Sequence, residues 1–258
     1  MRAETPRAKR TGAPDYDDPS FWDVKFATGQ DVGEWLNHGD VLLEAILALL
    51  ESQFAPEKHA TPRVLHLGPG LSKLGAKVRN EFVERGWAGN GVVNVDFSSE
   101  AVRLGRDAES TQDKSHAMSW EQADLLSWND MSRLLQFGPF DAIFDKSTSD
   151  AIATASPVAM KSLDLSTICP SVQVALLDRE GVTLSPVELL ALHLVPLTRR
   201  GSRWFVLSYS TMRFDNIPYA KVYWDIIDRV SIEAPGGQTA SGAYAPPVYH
   251  WMYVLQRK

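Results

Sequence analysis

A short apolar segment at residues 63–67 runs directly into Gly68-Pro69-Gly70, and the apolar residues after it have helical spacing. This order predicts a buried strand, a tight turn and a helix. Glycines in such a turn let a ligand lie close to the backbone amides at the start of the helix. The turn therefore favours a sheet whose strands alternate with helices, with a ligand site at this turn; a tight turn without a ligand is the alternative.

The rest of the chain continues the alternation of strands and helices. Residues 92–95 predict a second strand that ends at Asp96, and Ser98 is placed to cap the next helix. Together these elements predict an α/β fold with a doubly wound parallel sheet and right-handed crossovers. Further strands are expected at 140–144 and 203–208, and a final antiparallel pair at 222–232 and 248–256, joined near Gly236-Gly237.

Two further helix starts have side chains that can cap them. Asp40 precedes apolar residues at helical spacing, so we expect it to cap that helix. Ser185 and Pro186 predict another start, with Glu188 reaching back to complete a capping box. His193 lies on the apolar face of this second helix, which favours a core histidine over a catalytic base.

Composition excludes several classes of protein. The chain has 258 residues, a net charge of −6 and one cysteine, Cys169. These values predict a single domain without disulfides, without a metal site and with no nucleic-acid partner. No apolar stretch is long enough to predict a membrane span, so we expect no membrane partner and a cytoplasmic protein. The basic residues among 1–14 predict a disordered tail, with an organelle-targeting peptide as the alternative.

Asp96 ends the second predicted strand, and Asp124 lies just after the place where the next strand of the alternation should be. Asp96 is placed to accept hydrogen bonds from ribose hydroxyls, which predicts a cofactor that contains a nucleoside. Lys73 occupies the last glycine position of the dinucleotide fingerprint, so a pyrophosphate is disfavoured. Asp124 could accept a hydrogen bond from an adenine amino group. Adenosine without pyrophosphate indicates S-adenosylmethionine.

These motifs resemble those of the class I S-adenosylmethionine-dependent methyltransferases. The resemblance implies a Rossmann-like seven-stranded sheet, with the segment at 249–255 as the seventh strand and an N-terminal helical cap. It implies one domain at 15–258, with the cap at 15–60 and a core at 61–258 that carries an insertion at about 152–184. The matching motifs are Val64-Leu65-His66-Leu67-Gly68-Pro69-Gly70, Val93-Asn94-Val95-Asp96 and Asp124-Leu125.

A narrower resemblance links the chain to the methyltransferase-like family that includes the elongation-factor lysine methyltransferases. Its N-terminal motif is similar to Phe21-Trp22-Asp23-Val24-Lys25-Phe26, and its fourth-strand motif is similar to Asp145-Lys146-Ser147-Thr148-Ser149-Asp150-Ala151. The sequence departs from the family in having Ser147 instead of glycine and Ser149 instead of leucine. The cofactor contacts that we assign, partly through this resemblance, are Trp22, Lys25, Gly68, Gly70, Ser72, Asp96, Phe97, Asp124, Leu125 and Asp145.

The acceptor side of the site is predicted from the segments that follow the fourth and fifth strands. Asp145 is the candidate catalytic residue, expected to face the transfer site and either orient the acceptor or contact the cofactor. Lys146, Ser147 and Tyr209 are candidate substrate contacts. Lys146 could instead pair with Asp150, and Tyr209 could instead cover the sheet.

Three functions remain open at this stage. The first is methyl transfer to a lysine side chain of a protein, and the second is methyl transfer to a small-molecule acceptor. The third is a methyltransferase-like binding subunit without catalysis. An acidic pocket beside the sulfonium would favour the first, an apolar pocket the second and a blocked pocket the third.

Overall fold

Short apolar strands alternate with helices in the computed structural model, which describes residues 14–29, 33–54, 60–160, 168–177, 181–235 and 247–258. The strands are β1 (Val64–Leu67), β2 (Val92–Asp96), β3 (Ser119–Gln122), β4 (Phe140–Lys146), β5 (Val158–Met160), β6 (Val182–Leu184), β7 (Thr198–Ser208), β8 (Trp224–Glu233) and β9 (Tyr249–Arg257). The helices are α1 (Pro19–Thr28), α2 (Asp40–Gln53), α3 (Leu74–Glu84), α4 (Ser99–Glu109), α5 (Trp128–Met131), α6 (Thr148–Ile152), α7 (Pro170–Leu176) and α8 (Pro186–His193).

Seven of these strands form one sheet, in the order β3-β2-β1-β4-β7-β9-β8. The first five strands in that order pair in parallel, and β9 lies antiparallel between β7 and β8. This confirms the predicted doubly wound sheet with a C-terminal antiparallel pair. In the register, Leu67 lies beside both Val95 and Asp145, so β1, β2 and β4 end at the same edge.

Helices cover both faces of the sheet because its central strands are apolar on both sides. Val64 faces a cluster that includes Ile46 of α2 and Phe82 of α3, whereas its neighbour Leu65 faces a cluster that includes Leu190 of α8. β1, β2 and β4 are buried along their whole length. Polar groups of these strands therefore reach solvent only at their ends, which is where a ligand can bind.

Two predicted capping interactions are replaced by tertiary ones. Gly39, not Asp40, is the N-cap of α2, and the carboxylate of Asp40 pairs instead with Lys77 on α3. Ser185 caps α8 as predicted. The carboxylate of Glu188 does not reach back to it: it accepts hydrogen bonds from the backbone N–H groups of Tyr219 (2.6 Å) and Ala220 (3.3 Å).

Some predictions fall partly or wholly outside the described residues. The expected tail lies there except for its last residue, and so does the expected turn at Gly236-Gly237. The division into a cap and a core with an insertion stays a prediction; the described parts of that insertion include β5 and β6, which pair antiparallel. Within the described ranges, no helix is long and apolar enough to cross a membrane.

Trp120, to which the sequence assigned no role, packs against α4. A Cβ atom built on Gly105 would lie 2.3 Å from the indole ring, so the helix can approach β3 only because residue 105 has no side chain. Arg106 on the same helix donates hydrogen bonds to the carbonyl of Trp120 at 2.8 and 3.1 Å. The contact fixes α4, whose first turn borders the site described below.

Gly105→Ala should therefore lower the free energy of unfolding by about 1–3 kcal/mol, the usual effect of overpacking a core contact. Asp107→Ala on the exposed face of α4 is the matched control and should change it by less than about 0.5 kcal/mol. Urea denaturation of both variants measures the difference. A Gly105→Ala variant as stable as the native chain would contradict the contact.

Candidate functional site

The turn after β1 is held in a conformation that requires glycine. Gly68 and Gly70 have φ angles of +54° and +49°, in the left-handed region. A Cβ atom on Gly68 would lie 2.4 Å from the hydroxyl of Thr148, and one on Gly70 would lie 3.0 Å from the Phe26 ring. The absence of side chains thus lets both the start of α6 and helix α1 approach the turn.

Asp96, at the end of β2, is joined to this turn. Its carboxylate accepts hydrogen bonds from the N–H groups of Gly70 and Ser98, both at 2.9 Å. Burial, together with the nearby charge of Asp23, raises the pKa of Asp96 to about 6, although these N–H groups favour the ionised form. The backbone N–H of Phe97 also hydrogen-bonds to this carboxylate, and since an ionised carboxylate has about four lone-pair positions, acceptor capacity remains for a hydroxyl group of a ligand.

The end of β3 supplies the next part of the wall. Asp124 lines the cavity, and its carboxylate accepts a hydrogen bond from the N–H of Leu126 at 2.8 Å. Phe97 and Leu125 also line it. The carbonyl of Leu125 lies 3.0 Å from Nδ1 of His193. Burial lowers the pKa of His193 to about 4, so this residue is a neutral core histidine, as predicted.

Five aromatic residues that precede β1 form a roof over the cavity, here called the aromatic roof. Trp22 is at its centre: its ring stacks on Phe26 at 5.6 Å between centroids and contacts Trp35 at 5.8 Å. Its indole N–H donates to the carbonyl of Tyr16 at 2.9 Å. The members of the aromatic roof are Tyr16, Phe21, Trp22, Phe26 and Trp35, and all but Phe21 line the cavity.

Two carboxylates attach the roof to the helices beneath it. Asp23 of α1 accepts hydrogen bonds from the Ser98 hydroxyl (2.5 Å) and from the Glu100 N–H (3.1 Å) at the start of α4. Burial raises the pKa of Asp23, but these hydrogen bonds and those from Ser99 outweigh it and lower the pKa overall. Glu34 accepts from the Ser72 hydroxyl (2.8 Å) and from the Lys73 N–H (2.7 Å) at the start of α3.

Asp145 does not lie where it was predicted. It is fully buried, and its carboxylate accepts hydrogen bonds from the N–H groups of Thr148 (2.7 Å) and Ser149 (3.1 Å). Burial and the nearby charge of Asp150 raise its pKa to about 7. This corrects the expectation that Asp145 faces the transfer site, because the first-turn amides of α6 hold its side chain away from the cavity.

The residues after Asp145 form the acceptor-side wall. Lys146, Ser147 and Asp150 line the cavity. Lys146 forms an ion pair with Glu34 at 2.7 Å. The alternative partner predicted from the sequence was Asp150. Asp150 instead pairs with Arg213 at 2.7 Å and also accepts from the Ser208 hydroxyl.

Tyr209 lies at the rim of this wall. The residue is 58% exposed and lines the cavity, and its role as a substrate contact stays a prediction. Its backbone N–H donates to the carboxylate of Asp150 at 3.1 Å, and the guanidinium of Arg213 lies 5.4 Å from its ring centroid. Asp150 thus joins the end of β7 to helix α6.

His66 forms part of the floor of the cavity. Its ring stacks on Phe144 with 4.1 Å between centroids, and its Nδ1 lies 2.9 Å from Oδ1 of Asn94. Burial lowers its pKa to about 3, so the imidazole is neutral at physiological pH.

The cavity enclosed by these elements has a volume of about 750 Å³. Small-molecule sites usually measure about 300–1,000 Å³. Its residues fit an S-adenosyl group: the Asp96 carboxylate lines the cavity with acceptor capacity left for a ribose, Asp124 lies at the neighbouring strand end, and the aromatic roof offers flat apolar surfaces. In the described part of the chain, no cluster of histidine, cysteine and acidic side chains could hold a metal ion.

Most of the predicted cofactor contacts converge on this cavity, but two do not. Asp145 is one, and Lys25 is the other: its ammonium lies 5.4 Å from the Phe21 ring centroid, and its side chain is not part of the cavity wall. Sequence reasoning missed Glu34 and Asp150 as polar residues of the site and Tyr16 and Phe26 as members of the roof. The repeated aromatics near the predicted cap were the signal for the roof.

Comparisons with known proteins agree with this geometry. No family model matches the chain. Among solved structures, it resembles an S-adenosylmethionine-dependent methyltransferase from Anabaena variabilis, with a TM-score of 0.56, 12% identity and coverage of 100% and 99% of the two chains. The chain has the class I methyltransferase fold.

Two further proteins are similar to the chain, one in structure and one in sequence. The N-methyltransferase NodS from Bradyrhizobium japonicum, solved with S-adenosylhomocysteine, gives a TM-score of 0.50 at 13% identity, over 95% of this chain and 99% of NodS. In sequence, the chain is 23% identical over 217 residues to the Saccharomyces cerevisiae protein-lysine N-methyltransferase EFM4. That match covers 78% of this chain and 89% of EFM4.

Ser147 is strained in this fold, because its φ angle is +68° in a region that favours glycine. Ser147→Gly should be more stable than Ser147→Ala by about 1 kcal/mol, since both variants lose the 3.2 Å hydrogen bond from the Ser147 hydroxyl to Asp150 but only glycine relieves the backbone strain. Urea denaturation of the pair measures this difference. Equal stability of the two variants would contradict a left-handed backbone conformation at residue 147.

Proposed function

We propose that the chain is an S-adenosylmethionine-dependent methyltransferase whose acceptor is a lysine side chain of a protein. The observation that carries the proposal is the cavity at the strand ends, lined by the glycine turn, Asp96, Asp124 and the loop after β4. The lysine acceptor is supported by the sequence similarity to EFM4, which extends over most of both chains.

Each wall of the cavity has a separate role in binding the cofactor. The carboxylate of Asp96 accepts from the ribose, and Asp124 accepts from the adenine amino group. The glycine turn lets the cofactor lie against the backbone, and Trp22 and Trp35 exclude water from above. When bound, the cofactor supplies a methyl group on a sulfonium, which an incoming lone pair can take in line without acid assistance.

The acceptor side must admit an amine that has lost its proton. Asp150 is a poor base for this step because Arg213 and the Ser208 hydroxyl already bind its carboxylate. The aromatic roof and the buried wall would remove water from an entering ammonium, which lowers the pKa of an amine, so the side chain gives its proton to bulk water at the mouth of the cavity and enters as the neutral amine. Tyr209 and Ser147 then confine the acceptor side chain, so that proximity and alignment provide the catalysis.

A small-molecule acceptor is the second candidate, and the apolar surface of the aromatic roof favours it. A binding subunit without catalysis is the third candidate. The open cavity of about 750 Å³ counts against that one.

Binding of S-adenosylhomocysteine should weaken below pH 6. The pKa of Asp96 lies near 6, so acid converts the carboxylate into its neutral form and removes an acceptor for the ribose. Well below that pKa, the affinity should fall by up to about tenfold per pH unit. Titration calorimetry between pH 5 and pH 8 measures this profile.

Asp96→Asn should weaken binding at pH 8 by about 1–3 kcal/mol and should flatten the profile between pH 5 and pH 7. Asp107→Asn, on the exposed face of α4, is the control and should keep the native profile. If the affinity of Asp96→Asn for S-adenosylhomocysteine depends on pH as that of the native chain does, Asp96 is not the group that binds the ribose.

Methyl transfer to a protein is tested with labelled S-adenosylmethionine and a whole-cell extract, separated afterwards into protein and small-molecule fractions. We expect label in the protein fraction, located on lysine by mass spectrometry, and a strong decrease with the Asp96→Asn variant. Label in small molecules alone would reject the lysine acceptor in favour of a metabolite. Cofactor binding without any transfer would favour the binding subunit.

A further inference from the structure

A buried ion pair joins the roof to the central sheet. Nζ of Lys146 lies 2.7 Å from Oε2 of Glu34 and 2.9 Å from the carbonyl of Trp35. The side chains of Lys146 and Glu34 are only 4% and 17% exposed, although 112 positions separate them in the sequence. Lys146 is the last residue of a fully buried strand, so its backbone is a fixed anchor for the segment at residues 33–36, here called the roof segment.

The roof segment needs such an anchor. Leu36 has a φ angle of +63°, which is unfavourable for a leucine and persists only where the surroundings hold it. Leu36 and Trp35 both line the cavity. If the segment were released, relaxation of Leu36 would move its side chain and the indole of Trp35 together.

The charges of the pair favour closure. Burial raises the pKa of Glu34, but hydrogen bonds from Lys146, Lys73 and Ser72 outweigh it, so the carboxylate is ionised. Opening the segment would leave the ammonium of Lys146 at the end of β4 without its carboxylate partner. While the segment is closed, each buried charge needs the other, because a buried charge without a partner is strongly unfavourable; pairing and closure therefore occur together.

From these contacts we propose that Glu34 and Lys146 are positioning residues, which hold the roof segment closed over the cofactor and thereby set how fast the cofactor leaves. This inference rests on the proposed function, and it assigns to Lys146 a role through Glu34 and Trp35 rather than through the substrate.

The test compares Glu34→Gln, Lys146→Met and the double variant with the native chain. Each single variant leaves one buried charge unpaired and could fail to fold, whereas the double variant removes both charges. Lys77→Met is the matched control, because Lys77 pairs with Asp40 and also joins the region before β1 to α3, but neither residue lines the cavity.

The first measurement is hydrogen exchange of the chain without ligand, followed by mass spectrometry. In the double variant, amides of the roof segment should exchange at least about tenfold faster, while those of β1 and β4 keep their native rates. The control should match the native chain throughout. If the roof-segment amides of the double variant exchange at the native rate, the proposal is wrong.

The second measurement is the release rate of S-adenosylhomocysteine, followed by tryptophan fluorescence in a stopped-flow instrument. The double variant should release it at least about tenfold faster, and Lys77→Met should release it at the native rate. Faster exchange with native release would overturn the link to the cofactor. If the native chain binds no S-adenosylhomocysteine, the proposed function fails, and the exchange measurement still decides whether the pair holds the roof segment.

Discussion

Unpaired N–H groups at the start of two helices organise the site. The first turn of any helix has backbone donors without partners inside the helix, and its partial positive charge attracts carboxylates. In this molecule, α3 and α4 start side by side at the edge of the sheet, and the region before β1 supplies a carboxylate to each. Glu34 binds at the start of α3 and Asp23 at the start of α4. These two carboxylates fix the position of the aromatic roof, because the N–H groups at the helix starts attract them. The apolar contacts of the roof then form in the place that the carboxylates set.

Asp96 connects the same two helices from below. Its two hydrogen bonds join the turn before α3 to the N-cap of α4, so the carboxylate that is open to a ligand also fixes the loops around that ligand. Asp145 performs a related task at α6, where it binds the first-turn amides. Both carboxyl groups have raised pKa values because they are buried. Of these two similar groups, only Asp96 lines the cavity.

The sequence predicted the features that depend on neighbours along the chain. Alternation of apolar segments predicted the sheet, and glycines followed by an acidic residue at the next strand end predicted the turn and Asp96. The contacts of Glu34 and Asp23 were not predicted, because their partners lie 38–112 positions away and no local pattern specifies them. Asp145 was misplaced because a strand end fixes the position of a residue but not the direction of its side chain. The contact between Gly105 and Trp120 was missed because it joins a helix to a strand, and no local pattern specifies such a pair.

For the lysine acceptor that we propose, the pairing of charges has a consequence for its protonation state. At the wall after β4, Lys146 is bound to Glu34 and Asp150 is bound to Arg213. An ammonium that entered beside them would lose its hydration without gaining either carboxylate as a close partner, whereas a neutral amine would lose much less. Arg213 beside the ring of Tyr209 acts in the same direction, since a second cation near that ring would be repelled. The paired charges at this wall thus favour the uncharged amine, which is the form with a lone pair available for methyl transfer.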